Sequence, residues 1–141
     1  MKLWEYLSAR MEKHADKVAF AHSGLKYADI LKVGDGRARN KKLRVCEGRT
    51  REEHALAILR CIAEGDTAVP VSAEYGVRNC EYVKAAAAKS RDNADSLAFV
   101  LFTSGTAGAP KGVMLTDENI CENLKLISSY FRLEECERIC I

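Results

Sequence analysis

The chain has 141 residues, of which 48% are hydrophobic and 30% are charged, a composition typical of one globular domain and unlike that of disordered or fibrous chains. Its 22 Lys and Arg residues nearly balance its 20 Asp and Glu residues, which argues against nucleic acid or an anionic membrane as a partner attracted by bulk charge. The longest apolar run, residues 97–102, is shorter than the roughly 18 residues of a membrane span, and Glu5 interrupts the apolar N-terminus where a secretion signal would lie, so we predict a cytoplasmic protein.

The first 46 residues predict helices and strands in alternation. An amphipathic helix is expected over residues 3–14, where four apolar residues lie on one side: Leu3, Tyr6, Leu7 and Met11. A strand over residues 17–22 ends at a Ser-Gly turn. Residues 27–39 predict a weak helix, because two glycines in it reduce helix stability, Gly34 and Gly36. Residues 43–46 predict a short strand.

A capping box marks the start of the next helix. Thr50 supplies the hydroxyl and Glu53 supplies the carboxylate three residues later. Gly65 is a natural end for this helix, whose apolar side carries Leu56, Leu59 and Ile62. An apolar strand over residues 67–71 and a helix over residues 77–89 are expected to follow.

The last third of the chain predicts a central strand and a long helix. Residues 97–102 are apolar without alternation, which is typical of a strand buried on both faces. Residues 113–115 are extended again, and Thr116 caps a helix with two acidic residues in its first turn. The spacing of four apolar residues predicts a buried stripe on this helix: Ile120, Leu124, Ile127 and Phe131.

This alternation predicts an α/β fold, in which a layered and largely parallel sheet is flanked by helices. Residues 138–141 look like the beginning of another strand. Since that strand has neither a docking element nor a polar cap after it, we expect further residues of the fold to be missing. An unfinished sheet of this kind leaves an unpaired edge and an uncovered apolar face, so we also expect self-association.

The cysteines and histidines do not predict a metal site. No CxxC pair occurs, and the three histidines are not close in sequence to the cysteines. A disulfide framework fits poorly with the missing secretion signal. We interpret the six cysteines as small buried or half-buried thiols: Cys46, Cys61, Cys80, Cys121, Cys136 and Cys140.

The segment after residues 97–102 carries the clearest chemical signal. Three hydroxyls, three glycines and one lysine lie within ten residues: Thr103, Ser104, Gly105, Thr106, Gly108, Lys111 and Gly112. Glycines let backbone N–H groups turn toward an anion, hydroxyls donate to phosphate oxygens, and the lysine adds a mobile charge. Open α/β sheets bind ligands in loops at the carboxyl ends of their strands. The segment therefore predicts a polyphosphate-binding loop.

Two familiar nucleotide-binding patterns do not fit this loop. Counted from Gly105, the pattern GxxxxGK[ST] requires glycine at 110 and a hydroxyl at 112, whereas the chain has Pro110 and Gly112. The pattern GxGxxG is absent as well. Composition alone leaves an ordinary flexible surface loop open as the alternative.

The loop and its surroundings resemble the adenylate-forming, or AMP-binding, enzymes. Residues 102–116, FTSGTAGAPKGVMLT, are similar to the phosphate-loop signature of acyl-CoA synthetases, aryl-CoA ligases, peptide-synthetase adenylation domains and luciferases. Residues 61–71, CIAEGDTAVPV, are similar to the helix–glycine–strand passage that precedes this loop in the family. Residues 3–20 and 27–31 fit the family's N-terminal opening more loosely.

The resemblance implies a ligase that works in two steps. A carboxylic acid attacks the α-phosphate of ATP with the help of Mg²⁺, giving an acyl-adenylate and pyrophosphate, and a thiol of coenzyme A or of a carrier protein then takes the acyl group. By position, the phosphate-binding residues are expected to be Thr103, Ser104, Gly105, Thr106, Gly108 and Lys111. The resemblance assigns Lys111 to the β- and γ-phosphates, where charge grows as the bond breaks, and gives Pro110 and Gly112 the role of shaping the loop.

The chain also departs from the family pattern. Ala107 stands where many members have Thr, Asp117 stands where a His is usual, and only Tyr75 remains of the usual Asp-Pro-x-Tyr-Pro motif. The family's adenine, ribose and metal-positioning motifs and its C-terminal catalytic lysine cannot be located. We therefore expect residues 1–141 to be the N-terminal part of an adenylation domain that is inactive alone. The alternative is a non-catalytic phosphate-binding or interaction module that retains the loop.

A basic cluster is the other candidate for phosphate binding. It comprises Arg37, Arg39, Lys41, Lys42 and Arg44. A charge run of this kind is typical of a solvated face. Binding of the coenzyme A phosphates is the alternative interpretation.

Overall fold

The structure is a computed structural model that describes residues 1–37, 41–71, 81, 85, 96–103 and 111–133. Within these ranges the helices are α1 (Leu3–Glu12), α2 (Tyr27–Leu31), α3 (Arg51–Ala63) and α4 (Asp117–Phe131). The strands are β1 (Val18–Phe20), β2 (Leu25–Lys26), β3 (Leu43–Cys46), β4 (Thr67–Pro70), β5 (Leu97–Thr103) and β6 (Lys111–Thr116). The expected strand over residues 138–141 lies outside these ranges, as does the expected helix over 77–89 apart from positions 81 and 85.

Four of the strands form one mixed sheet in the order β3-β4-β5-β6. β4 pairs in parallel with both β3 and β5, whereas β5 and β6 are antiparallel. β1 and β2 form a separate antiparallel pair. The prediction of an α/β fold with a largely parallel sheet and flanking helices is confirmed.

The ends of α3 are set by the residues that the sequence singled out. The Thr50 hydroxyl accepts a hydrogen bond from the Glu53 N–H at 3.1 Å, and the Glu53 carboxylate accepts from the N–H groups of Arg49 and Thr50. After the helix, Gly65 has a φ of 79°, a left-handed conformation that glycine adopts without strain. The predicted capping box and glycine stop are confirmed.

The main core lies between α1, α3 and the sheet. α1 buries four side chains there: Leu3, Trp4, Tyr6 and Met11. They pack with Ile30, Ile62, Ala63, Ala98 and Cys121. The amphipathic character of α1 is thus confirmed, although Leu7 is only partly buried and the helix ends at Glu12.

The weak helix expected over residues 27–39 ends early, at Leu31. Close packing against α3 and α1 explains the difference. A Cβ at Gly34 would lie 2.2 Å from the Ala63 carbonyl oxygen. Gly36 has a φ of 75°, donates its N–H to the same oxygen at 2.6 Å, and lies against Trp4. The two glycines therefore serve a close backbone crossing instead of a helix.

Two predicted burial patterns are wrong in their later halves. On β5, Leu97 and Ala98 are buried, but Leu101 is 39% exposed. On α4, the residues that pack against the core are Ile120 and Leu124, whereas Ile127 and Phe131 are exposed. In both elements, the residues that pack into the core are those nearest the first residue of the element, Leu97 and Ala98 on β5 and Ile120 and Leu124 on α4.

The described cysteines match their interpretation as buried thiols. Cys46, Cys61 and Cys121 are free and buried, while Cys80, Cys136 and Cys140 lie outside the described residues. The adjacent Cys46 thiol and burial both raise the pKa of Cys61. In the described part of the chain, no group of three His, Cys, Asp or Glu side chains is placed to hold a metal ion. No helix there has the length and apolar character needed to span a membrane.

Candidate phosphate-binding site

The predicted phosphate loop connects the two antiparallel strands at one end of the sheet. β5 ends at Thr103 and β6 begins at Lys111, and these two residues lie directly opposite each other in the pairing. The Thr103 hydroxyl donates to the Lys111 carbonyl oxygen at 3.4 Å. Residues 104–110 connect the strands and lie outside the described residues, and with them Ser104, Gly105, Thr106 and Gly108. The described hairpin thus brings the two ends of the predicted loop together at the carboxyl end of β5.

Both described site residues are accessible. Thr103 and Lys111 are exposed, and Lys111 forms no ion pair with the side chains that the structure describes. Lys111 is the first residue of a strand, neither within a helix nor buried beneath neighbours. An exposed ammonium at the base of a loop rich in hydroxyls and glycines is suited to a phosphate anion.

The base of the hairpin is anchored to the rest of the sheet. The buried Thr67 hydroxyl donates to the Leu97 carbonyl oxygen at 2.8 Å, which joins β4 to the start of β5. At the same end of the hairpin, the Asp117 N–H donates to the Ser96 carbonyl oxygen at 2.7 Å. These two bonds hold β5 and β6 in place at the end of the hairpin opposite the loop.

Gly112 has a packing role within β6. It lies opposite Phe102, and a Cβ there would approach Val100 Cγ1 to 3.1 Å and the Phe102 ring to 3.4 Å. The structure therefore places Gly112 in the strand and not in the loop that it was expected to shape. Because Gly112 has no side chain, the Val100 and Phe102 side chains of β5 can lie close to the β6 backbone next to Lys111.

The first turn of α4 connects the hairpin to the N-terminus of the chain. The Thr116 hydroxyl accepts from the Asn119 N–H at 3.2 Å, which confirms the predicted cap. Asp117 accepts from the Leu3 N–H at 3.1 Å, and its other oxygen lies 3.8 Å from the Lys2 ammonium. Sequence reasoning missed this role of Asp117, which stands where the family usually has His, because its partners are far away in the chain.

The basic cluster is only partly a solvated face. Arg44 bonds the buried Asp66 at 2.6 Å and also forms an ion pair with Glu64. Burial lowers the pKa of the Arg44 guanidinium, but its bonds to Glu64 and Asp66 outweigh this and raise it. Asp66 also accepts from the Lys42 N–H at 3.2 Å. Arg44 therefore holds β3 against the turn between α3 and β4, and its guanidinium is already paired.

Comparison with known proteins identifies a family. A family model described as AMP-binding enzyme matches residues 7–141. Malformin synthetase of Aspergillus vadensis is 42% identical over 45 residues, which are 32% of this chain and 1% of that protein. The Aspergillus niger protein of the same name is 39% identical over 46 residues, with 33% and 1% covered. The chain thus spans about a hundredth of the length of these relatives.

Solved structures share the fold. McyG A-PCP complexed with phenylalanyl-adenylate has a TM-score of 0.67 at 16% identity, covering 94% of this chain and 31% of that one. ATP-bound MatB from Rhodopseudomonas palustris has a TM-score of 0.59 at 20% identity, covering 94% and 38%. The N-terminal subdomain of Klebsiella oxytoca NpsA, in complex with 3-hydroxyanthranilyl-AMSN, has a TM-score of 0.55 at 17% identity, covering 82% and 39%.

The resemblance inferred from residues 61–71 and 102–116 agrees with all of these matches. The individual phosphate contacts of the loop residues stay predictions. Because the family model matches residues 7–141, nearly the whole chain, the chain belongs to the family of AMP-binding enzymes.

Proposed function

We propose that the hairpin of β5 and β6 and its connecting loop bind the β- and γ-phosphates of ATP in an acid–thiol ligase. The observation that carries this proposal is the position of Thr103 opposite Lys111, both exposed, at the end of a strand anchored in the sheet. Membership in the AMP-binding family supports the choice of ATP over other phosphates. The remaining contacts are assigned to Ser104, Gly105, Thr106 and Gly108.

In the proposed reaction, a carboxylic acid becomes an acyl-adenylate and pyrophosphate leaves. The Lys111 ammonium stabilises the negative charge that grows on the leaving pyrophosphate, and Thr103 donates to a phosphate oxygen. Both act by position and charge, without forming a covalent bond. Mg²⁺, when bound to the phosphates, neutralises further charge. We assign it no protein ligand among the described residues, where no group of three metal-ligating side chains occurs.

We further propose that residues 1–141 are the N-terminal part of an adenylation domain. Coverage of 31% to 39% of three related chains supports this. The acyl pocket, the lid domain and the thiol site, for coenzyme A or a carrier protein, would then belong to other parts of the parent enzyme. The chain alone would not complete the reaction, and a cytoplasmic location stays a prediction.

A second candidate is a phosphate-binding module without catalysis. It is favoured by two departures from the family pattern, since Ala107 lacks a hydroxyl and Asp117 is used to hold the N-terminus of α1. The transcript downstream of codon 141 separates the two candidates. A frame that continues into an adenine motif and a C-terminal lysine domain supports the ligase, whereas a stop codon there supports the module.

The phosphate site is tested by titrating the isotope-labelled chain with inorganic pyrophosphate and following amide resonances by NMR. We expect shifts confined to residues 103–112, with a dissociation constant on the order of 1 mM. Lys111→Met should weaken binding about tenfold, the effect of losing one charge-assisted hydrogen bond. The matched control is Lys17→Met, at an exposed lysine outside the hairpin. Equal loss in both variants, or no shifts near the loop, would refute the site.

A further inference from the structure

Two buried thiols lie side by side between β3 and α3. Cys46 is the last residue of β3 and is 1% exposed, and Cys61 lies near the end of α3 and is 0% exposed. Both are free, and they share one buried cluster with Ala68 of β4. Neither belongs to the phosphate site at the hairpin of β5 and β6. This Cys46–Cys61 pair is therefore a separate place for sulfur chemistry.

The connection between β3 and α3 brings the two sulfur atoms together. Arg44 pairs with Glu64 just after α3, so Cys46, two residues further along β3, faces an earlier turn of the helix. The Cys46 thiol donates to the Ala57 carbonyl oxygen at 3.7 Å. In an α-helix this oxygen also accepts the N–H of the residue four positions later, which is Cys61. The Cys46 sulfur thus lies beside the turn that carries Cys61.

The two thiols differ in how tightly they hold a proton. The Cys61 thiol donates a hydrogen bond to the Cys46 sulfur, which lowers the pKa of Cys46, while burial acts in the opposite direction. The positive charge of Arg44 also lowers the pKa of Cys46. The same hydrogen bond raises the pKa of Cys61. Since the thiolate is the nucleophile, Cys46 is the sulfur that reacts first with an oxidant.

Cys46 lies directly before an exposed connection. Glu47, Arg49 and Thr50 are exposed, and they lie between β3 and α3. Exposed connections open locally at a lower cost in free energy than the core does. Such an opening admits a molecule as small as hydrogen peroxide to the Cys46 sulfur.

We propose that Cys46 and Cys61 form a reversible disulfide when the chain meets a peroxide, which links the end of β3 covalently to α3. The Cys46 thiolate attacks one peroxide oxygen, the O–O bond breaks, and Cys46 becomes a sulfenic acid as hydroxide leaves. The Cys61 sulfur then attacks the Cys46 sulfur, the S–O bond breaks, and the hydroxyl leaves as water with the Cys61 proton. The two sulfurs supply the two electrons that reduce the peroxide, and an excess of a small thiol reverses the link by exchange. Transient disulfides of this kind are typical of redox sensing in reducing compartments.

The test is peptide mapping of the full chain after treatment with hydrogen peroxide under native conditions. The remaining thiols are alkylated in urea, and trypsin then releases Cys46 within residues 45–49 and Cys61 within residues 61–78, each without another cysteine. Mass spectrometry should find these two peptides joined, and dithiothreitol should separate them. The urea midpoint of the oxidised chain should rise by about 1–2 M over that of the reduced chain, because the link constrains the unfolded state.

Three serine variants separate the roles of the thiols. Cys61→Ser should stop at the sulfenic acid of Cys46, which dimedone traps, whereas Cys46→Ser should leave Cys61 reduced. Both variants should lose the rise in the urea midpoint. The matched control Cys121→Ser changes another buried free cysteine, on α4, and should keep both the link and the rise. Circular dichroism spectra matching the unchanged chain confirm that each variant is folded.

Other outcomes overturn the proposal. If Cys46 and Cys61 both stay reduced at peroxide concentrations that oxidise the other cysteines, the buried pair is closed to the oxidant. A bond from either thiol to a different cysteine, or a link that forms only in urea, would show that the fold does not pair them. Trapping of Cys61 by dimedone, with none of Cys46, would contradict the assigned order of attack.

Discussion

Thr67→Val removes one buried hydroxyl from the sheet and keeps the shape of the side chain. Thr67 is 0% exposed, and its hydroxyl donates to the Leu97 carbonyl oxygen at 2.8 Å. Loss of this donor leaves a buried acceptor without that bond, which costs about 1–3 kcal/mol. The methyl group that replaces the hydroxyl returns up to ~0.8 kcal/mol through apolar burial. We therefore expect the free energy of unfolding to fall by about 1–2 kcal/mol.

Thr103→Val is the matched control, since it removes the same hydroxyl at an exposed position. The Thr103 bond to the Lys111 carbonyl is longer, at 3.4 Å, and water can replace it. We expect a stability change within about 0.5 kcal/mol, together with weaker pyrophosphate binding. Thr67→Val should have the opposite profile, with lower stability and a binding site that is intact in the folded chain.

Urea denaturation followed by circular dichroism at low protein concentration measures the stability change. With a denaturant slope of about 1–2 kcal/mol per molar, the Thr67→Val midpoint should fall by roughly 1 M. A Thr67→Val chain as stable as the unchanged protein would refute the role of this bond in joining β4 to β5. Equal destabilisation by Thr67→Val and Thr103→Val would show that burial of the hydroxyl does not determine how much stability is lost when it is removed.

Three further predictions concern binding, capping and pH. The isolated chain should bind ATP weakly or not at all, because the family's adenine and ribose motifs cannot be located in it; micromolar affinity by calorimetry that is lost in Lys111→Ala would contradict this. Thr50→Ala should lower the free energy of unfolding by about 1 kcal/mol, since the Glu53 N–H loses its acceptor, and an unchanged urea midpoint would refute it. The Lys26 N–H lowers the pKa of the Asp29 carboxyl below its ordinary value. The stabilising effect of this hydrogen bond is therefore present above the unfolded pKa of Asp29 and is lost as pH falls through the folded pKa. An NMR titration in which Asp29 has a pKa at or above the ordinary value would exclude this.

Local signals predicted the elements whose ends depend on neighbouring residues. Thr50, Glu53 and Gly65 mark the limits of α3 in sequence and in structure, because caps act over three or four residues. The strand over residues 43–46 was likewise predicted with its observed bounds. Patterns that span only a few neighbouring residues can be identified without knowledge of the tertiary fold.

Tertiary contacts decided the elements that were predicted less well. The crossing of Gly34 and Gly36 against Ala63 ended α2 early, and periodicity carries no sign of a partner that distant in the chain. The apolar spacing of α4 correctly predicted a helix, but it did not predict that Ile127 and Phe131 are exposed. Spacing identifies which side of a helix is apolar, while burial also depends on what lies against that side.

The candidate site was predicted from a motif, and the structure adds the pairing at its base. The sequence identified Thr103 and Lys111 as site residues, but it did not predict that they lie opposite each other in an antiparallel pair. Pairing register depends on the whole sheet. The Arg44–Asp66 bond was missed because its partners lie 22 residues apart in the chain.

The bond between Leu3 and Asp117 joins positions 114 residues apart. During synthesis, α1 leaves the ribosome long before the residue that holds its first turn has been made. The bond that holds the first turn of α1 therefore forms only after the beginning of α4 has been made, and the loop of chain that this contact closes includes both the sheet and the phosphate-loop segment. The last contact of α1 thus becomes available only late in the synthesis of this part of the chain.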